Sequence, residues 1–121
     1  MIDIKNYDND NIFSKILNKT IPSKKIYEDE KVLAFEDINP QAPIHVLVIP
    51  KEKFCSLNDF CLNASNETIS EFIRSIEKIA KILKLSNGYR IISNIGKEGG
   101  QEVPHLHFHI LGGKQLGKII D

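Results

Sequence analysis

A chain of 121 residues with 41% hydrophobic content can build one core and is too short for two comfortable ones. Sixteen basic side chains balance sixteen acidic ones, which gives the surface no bias toward nucleic acid or membranes, so an anionic ligand must be bound locally. Met1 to Asn11 is polar and acidic where a signal peptide would be basic and then apolar, and no apolar run approaches membrane-spanning length. A cytoplasmic protein with neither nucleic acid nor membrane as partner is expected. Cys55 and Cys61 lack the paired spacing of a zinc knuckle or redox motif and read as reduced thiols.

Asp10 is placed to cap a short helix in which Ile12, Phe13, Ile16 and Leu17 recur at helical spacing, with Pro22 ending it. Lys25 to Glu28 and Val32 to Phe35 read as short strands around the turn Asp29-Glu30, and Asp37 to Pro43 as a turn-rich connection. His45 to Pro50 is a clear strand. A polar stretch from Ser56 to Asn66 follows, and then Ile69, Phe72, Ile73, Ile76, Ile79, Ala80 and Leu83 trace one face of a long helix, with Gly88 at its exit. Tyr89 to Ile95 reads as a strand, Gly96 to Gly100 as a flexible turn, and His105 to Leu111 as the last strand. The order helix, three strands, helix, two strands predicts a single α+β domain over residues 1–121, a mostly antiparallel sheet packed by helices. Its core runs from about residue 11 to 114 between a polar N-terminal and a short C-terminal tail.

Three of the four histidines fall within five residues, His105-Leu-His107-Phe-His109. Side chains at i, i+2 and i+4 of a strand share a face, so the imidazoles line up while Leu106, Phe108 and Ile110 point into the core. On this spacing the outer two imidazoles flank a small group, such as a phosphate, that touches His107 in the centre. A neutral imidazole is a competent nucleophile near pH 7, and protonated neighbours can stabilise phosphate oxygens. The rival chemistry is zinc, for which two histidines at i, i+2 suit, although no cysteine or carboxylate lies close to the row. Upstream, Asn94-Ile-Gly96-Lys-Glu-Gly99-Gly100-Gln101 is a glycine-rich turn: a plain hairpin turn, or one whose backbone amides approach an anion.

Asn94, Gly99, Gln101, Val103 and the run His-Leu-His-Phe-His-Ile-Leu-Gly112 resemble the signature of the histidine triad (HIT) family. Ile12-Phe13-Ser-Lys15-Ile16, Ile21-Pro22, Ala34 to His45 and Gly88-Tyr89-Arg90 are similar to its nucleotide-binding Hint branch, so that the resemblance covers roughly residues 11–114. It implies the HIT-like fold and a hydrolase of purine nucleoside phosphoramidates or related mononucleotide conjugates. In that branch the middle histidine attacks the α-phosphorus, and water then hydrolyses the nucleotidyl-histidine. His107 takes that role by resemblance, supported by His105, His109 and His45, with no cofactor and no metal required.

The resemblance also implies Asp37 and Ile38 at the ribose, and Asn94 with Gly100, Gln101 and Glu102 around ribose and phosphate. Ile12, Phe13, Ile16, Ile21 and Phe35 fall around the purine, and a homodimer is expected. Core packing explains the apolar set equally well, and a capped turn explains Asp37. Three departures bear on the substrate: Glu102 stands where many relatives carry serine or threonine, Pro104 where an aromatic residue is common, and the short tail after Gly112 lacks tryptophan. The alternatives are a non-catalytic nucleotide-binding or protein-interaction module, a dinucleoside polyphosphate hydrolase, and a zinc-binding protein.

Overall fold

Five strands form one sheet: β1 (Lys25–Glu28), β2 (Val32–Glu36), β3 (Ile44–Pro50), β4 (Arg90–Ile92) and β5 (Phe108–Gly112). They lie in the order β1-β2-β3-β5-β4 with every neighbour antiparallel, and the helices are α1 (Ile12–Leu17), α2 (Leu57–Asn63) and α3 (Asn66–Ile82). This computed structural model describes residues 2–120; Met1 and Asp121, at the ends of the two expected tails, lie outside them.

Alternation along β2 and β3 divides the interior in two. Val32, Ala34, Val46 and Val48 face one side of the sheet, where they pack with Phe60, Phe72, Ile76 and Ile79 from α2 and α3. Leu33, Phe35, Leu47 and Ile49 face the other side and meet Phe13, Ile16 and Leu17 of α1. Leu106, Phe108 and Ile110 join the first cluster, as the alternation predicts. The larger cluster is centred on aromatic rings: Phe60 lies edge-on to Phe54 and Phe72, and Phe72 edge-on to Phe108, at centroid distances of 5.1, 5.4 and 5.4 Å.

The structure corrects several boundaries. Asn11, not Asp10, caps α1, its side chain accepting from Ser14 N, while Asp10 pairs with Lys15 at 3.2 Å. That helix ends at Leu17, with Lys19 in the left-handed region, before Pro22 is reached. The stretch read as polar contains α2: Ser56 caps it, accepting from Asp59 N, and Asp59 accepts from Cys55 N. Ile73 is half exposed, at the margin of the buried α3 face.

At the end of α3 it is Lys84, with φ 59°, that takes the left-handed position. Leu85 N bonds Ala80 O and Lys84 N bonds Lys81 O around it, and Gly88 serves a later turn. The strand expected over Tyr89 to Ile95 is reduced to Arg90–Ile92. β5 begins at Phe108 rather than His105, because two places beyond Val48↔Phe108 the register would bring Pro50, which has no N–H, opposite Leu106. Leu106 N turns instead to Phe54 O at 2.7 Å.

Truncating a ring at the centre of the aromatic row leaves a cavity that the sheet cannot close. Phe72→Ala is expected to lower unfolding free energy in urea by about 3–5 kcal/mol; a loss under about 1 kcal/mol would show that α3 is not held through this ring.

Candidate active site

β3 carries His45, β5 carries His109, and the segment leading into β5 carries His105 and His107. His45 and His109 stand on the sheet face that also bears Leu47, opposite His109 in the register. A row of three imidazoles does form, but its members are His107, His109 and His45, with successive ring centroids 5.2 and 5.1 Å apart. His105 lies behind this row and is fully buried. The expectation that His105 and His109 flank a phosphate on either side of His107 is therefore corrected: His109 is the middle ring.

The row opens into a cleft of about 830 Å³. Ile12, Phe13 and Ile16 of α1, with Ile21 and Phe35, make an apolar end; Asp37, Ile38 and His45 line another wall. Asn94, Gly100, Glu102, His107 and His109 complete the predicted residues found there. Phe13 sits edge-on to the His107 ring at 5.0 Å. Two predicted residues do not line the cleft, His105 and Gln101. The buried Gln101 side chain accepts from Gly96 N and donates to Cys55 O and Val103 O, so it braces the turn.

The amides of Gly100 and Gln101 donate back to Lys97 O and Gly96 O. The glycine-rich turn thus spends these amides, and that of Gly96, on itself rather than on an anion. Gly99 is required there by space, since a Cβ would lie 2.3 Å from Ile95 O. Sequence reading missed Leu47, Lys24 and Gln41 in the cleft; Leu47 was within reach, as the i+2 neighbour of His45 on one strand face.

Backbone groups determine the tautomers. A carbonyl only accepts, so His107 Nδ1, 2.7 Å from His105 O, carries its proton, and in the neutral ring Nε2 keeps the lone pair. An amide only donates: Gln41 N gives its proton to His45 Nδ1 at 3.0 Å, which places the His45 proton on Nε2. His45 Nε2 then donates to His109 Nδ1 at 2.9 Å, leaving His109 with its proton on Nε2. The cleft is therefore lined by one imidazole with a basic nitrogen, His107, and one with a proton to give, His109. Asp37 accepts from Asn39 N through one oxygen, in the expected capped turn, and its other oxygen lies 3.4 Å from His45 Nε2.

Burial keeps these rings neutral. It lowers the pKa of His105 and His109 to about 4, with repulsion from His107 adding to both and from His45 at His109. His45 and His107 are also pulled down by burial; Asp37 opposes this at both, and the hydrogen bond to the His105 carbonyl and the charge of Glu102 oppose it further at His107. The expectation of protonated neighbours around the nucleophile is corrected accordingly: proton-bearing nitrogens are supplied by tautomer, not by charge.

Folding brings a carboxylate to the row, contrary to the sequence reading. Asp37, His45 and His109 each offer a donor atom within 4.8 Å of the others, a possible metal cluster. A cation on His45 Nε2 would require the proton on Nδ1, facing the Gln41 N–H, so two donors would point at each other. The donor set therefore fits a metal poorly.

Residues 18–116 match the family model described as HIT domain. The chain belongs to the HIT family. An uncharacterised 13.2 kDa HIT-like protein of Azospirillum brasilense is 46% identical over 117 residues, 96% of each chain. A 14 kDa zinc-binding protein of Zea mays is 46% identical over 113 residues, covering 90% of this chain and 86% of its own. Among solved structures, a HIT family hydrolase from Clostridium thermocellum superposes with a TM-score of 0.84 at 42% identity, over 93% of this chain and 98% of the other. In sequence and fold this HIT protein is thus like hydrolases of the family. No helix among the described residues is long and apolar enough to cross a membrane.

Buried neutral histidines tie stability to pH. His105 and His109 titrate at about 4 when folded and near 6.5 when unfolded, so between these values the unfolded chain binds more protons. Stability is full above about pH 6.5 and is lost as pH falls toward 4. His105→Gln keeps a donor and an acceptor but cannot titrate, so its urea midpoint should fall less steeply across this window; a curve parallel to the wild type would contradict the assignment.

Proposed function

We propose that this HIT protein is a Hint-like hydrolase that cleaves purine nucleoside phosphoramidates or related mononucleotide conjugates through a nucleotidyl-histidine. The observation that carries the reading is the pairing of opposite tautomers in one cleft, a bare Nε2 on His107 beside an Nε2–H on His109. His107 Nε2 attacks the α-phosphorus of a phosphoramidate protonated on its nitrogen, the phosphorus–nitrogen bond breaks and the neutral amine departs, while the His109 Nε2–H donates a hydrogen bond to a phosphate oxygen and keeps its proton. The water oxygen then attacks phosphorus, the bond to His107 breaks, and the water proton passes to solvent. Nucleoside monophosphate leaves, and His107 returns to its starting tautomer.

The purine fits the apolar end made by Ile12, Phe13, Ile16, Ile21 and Phe35, and Asp37 with Ile38 takes the ribose, a carboxylate accepting from its hydroxyls. Asn94, Gly100 and Glu102 lie toward the phosphate and leaving group. Glu102 acts on His107 as a negative charge, which favours a leaving amine that is itself cationic. The reaction needs no metal and no other cofactor. Zinc, which the name of the maize relative carries, is disfavoured here by the Gln41 amide on His45.

The protein is further proposed to act in the cytoplasm as a homodimer. β4 is a sheet edge, and exposed Ile91 on it and Ile73 and Ile82 on α3 supply apolar area for a second copy. Sedimentation at micromolar concentration is expected to give twice the chain mass; a single-chain mass rejects the dimer.

Amine release from an adenosine phosphoramidate tests the chemistry. His107→Ala should lose at least about 10³-fold in turnover while adenosine monophosphate binding persists. A wild type that binds the nucleotide and releases no amine would instead make the protein a binding module.

A further inference from the structure

The segment before α1, the expected polar tail, is fastened to the site. Ser56 Oγ donates to Ile4 O at 2.7 Å, and Ile4 Cγ2 lies beside Gly96 of the glycine-rich turn. Three residues on, Tyr7 Oη is 2.5 Å from His105 Nδ1 and its ring stands edge-on to the imidazole. Ile4 and Tyr7 lie before residues 18–116, where the family model matches.

Donor counting orients the whole chain of bonds. Pro50 O can only accept, so His105 Nε2, 2.8 Å away, bears the ring proton and Nδ1 of the neutral ring is an acceptor. Tyr7 must therefore donate to it. Having spent its one proton, the phenol oxygen accepts from Asn11 Nδ2 at 3.0 Å and from Ser14 Oγ at 2.6 Å. Asn11 is the buried cap of α1, the helix that lays Phe13 against both His105 and His107. At the far end, the His105 carbonyl holds the Nδ1 proton of His107.

We propose that Tyr7 is a positioning residue for the His107 nucleophile: by donating to His105 it holds the residue whose carbonyl sets the His107 tautomer, making the N-terminal segment part of the active site. The proposal rests on the reading of His107 as nucleophile. Tyr7 does not line the cleft, so substrate affinity is not its business. Removing its hydroxyl leaves His105 Nδ1 without a donor in a fully buried place, and His105 can recover one only by moving.

The test is Tyr7→Phe, measured by phosphoramidate kinetics and by ¹⁵N resonances of the histidine rings at a temperature where both proteins are fully folded. Expected are a fall in kcat of about 10- to 100-fold, as for other hydrogen-bond partners of working histidines, and an unchanged KM. The His105 Nδ1 resonance should move toward that of a free pyridine-type nitrogen, and His107 should become a mixture of tautomers. Wild-type kcat, or a His107 tautomer unchanged by the substitution, overturns the proposal. Should the wild type itself release no amine, the resonances alone decide: a mixed His107 in the variant upholds the positioning and sinks only the hydrolase reading. Ser14→Ala, which keeps the phenol but removes a donor to it, serves if Tyr7→Phe does not fold. A smaller fall in kcat with a smaller displacement of the His105 resonance in the same direction supports the proposal, and no change in either overturns it.

Discussion

A peptide carbonyl can only accept a hydrogen bond and a peptide amide can only donate one, and the site of this protein depends on that asymmetry. Pro50 O, His105 O and Gln41 N each occupy one ring nitrogen of a histidine, and each thereby dictates what the other nitrogen is. Side chains could be rearranged by small motions, but these backbone groups are held by the end of β3, by the turn that precedes it and by the segment leading into β5. A rigid backbone thus becomes a chemical instruction: one ring is left with a lone pair and its neighbour with an N–H to donate, without a net charge on either.

Pro50 has a double part in this arrangement. Lacking an N–H, it stops the β3–β5 ladder, which frees His105 to His107 from the strand, and its carbonyl then receives the His105 ring. Had the ladder continued, three imidazoles would have stood in line on one face, the geometry that simple alternation predicts. The actual fold puts one behind the row and draws His45 from a neighbouring strand into it.

Much of the fold was legible in the sequence because alternation and helical spacing are local properties. β1, β2, β3 and α3 lie nearly where the spacing puts them, and the inward set Leu106, Phe108 and Ile110 was correctly separated from the histidines. α2 was missed because only Leu57 and Phe60 are apolar on its inner side, although Ser56 and Asp59 carried a capping signal. The cleft-lining residues were named largely through family resemblance, and all but His105 and Gln101 do line it. What sequence could not give is pairing across distance: Tyr7 with His105, 98 positions on, or Asp37 with His45 and His109. Such pairs depend on which strands meet, and no local period encodes that.

The cleft's balance of ionised groups carries a consequence of its own. Among the described residues Lys24 is the one lysine or arginine in its walls, against Glu36, Asp37 and Glu102, while the imidazoles there are uncharged at neutral pH. On the proposed reading, a phosphate ester entering it meets no attractive field and must be held by dipoles at contact distance, which mobile ions hardly screen. If the cleft takes a nucleotide as proposed, added salt, which loosens proteins that gather phosphates with rings of lysine and arginine, should not weaken its binding here.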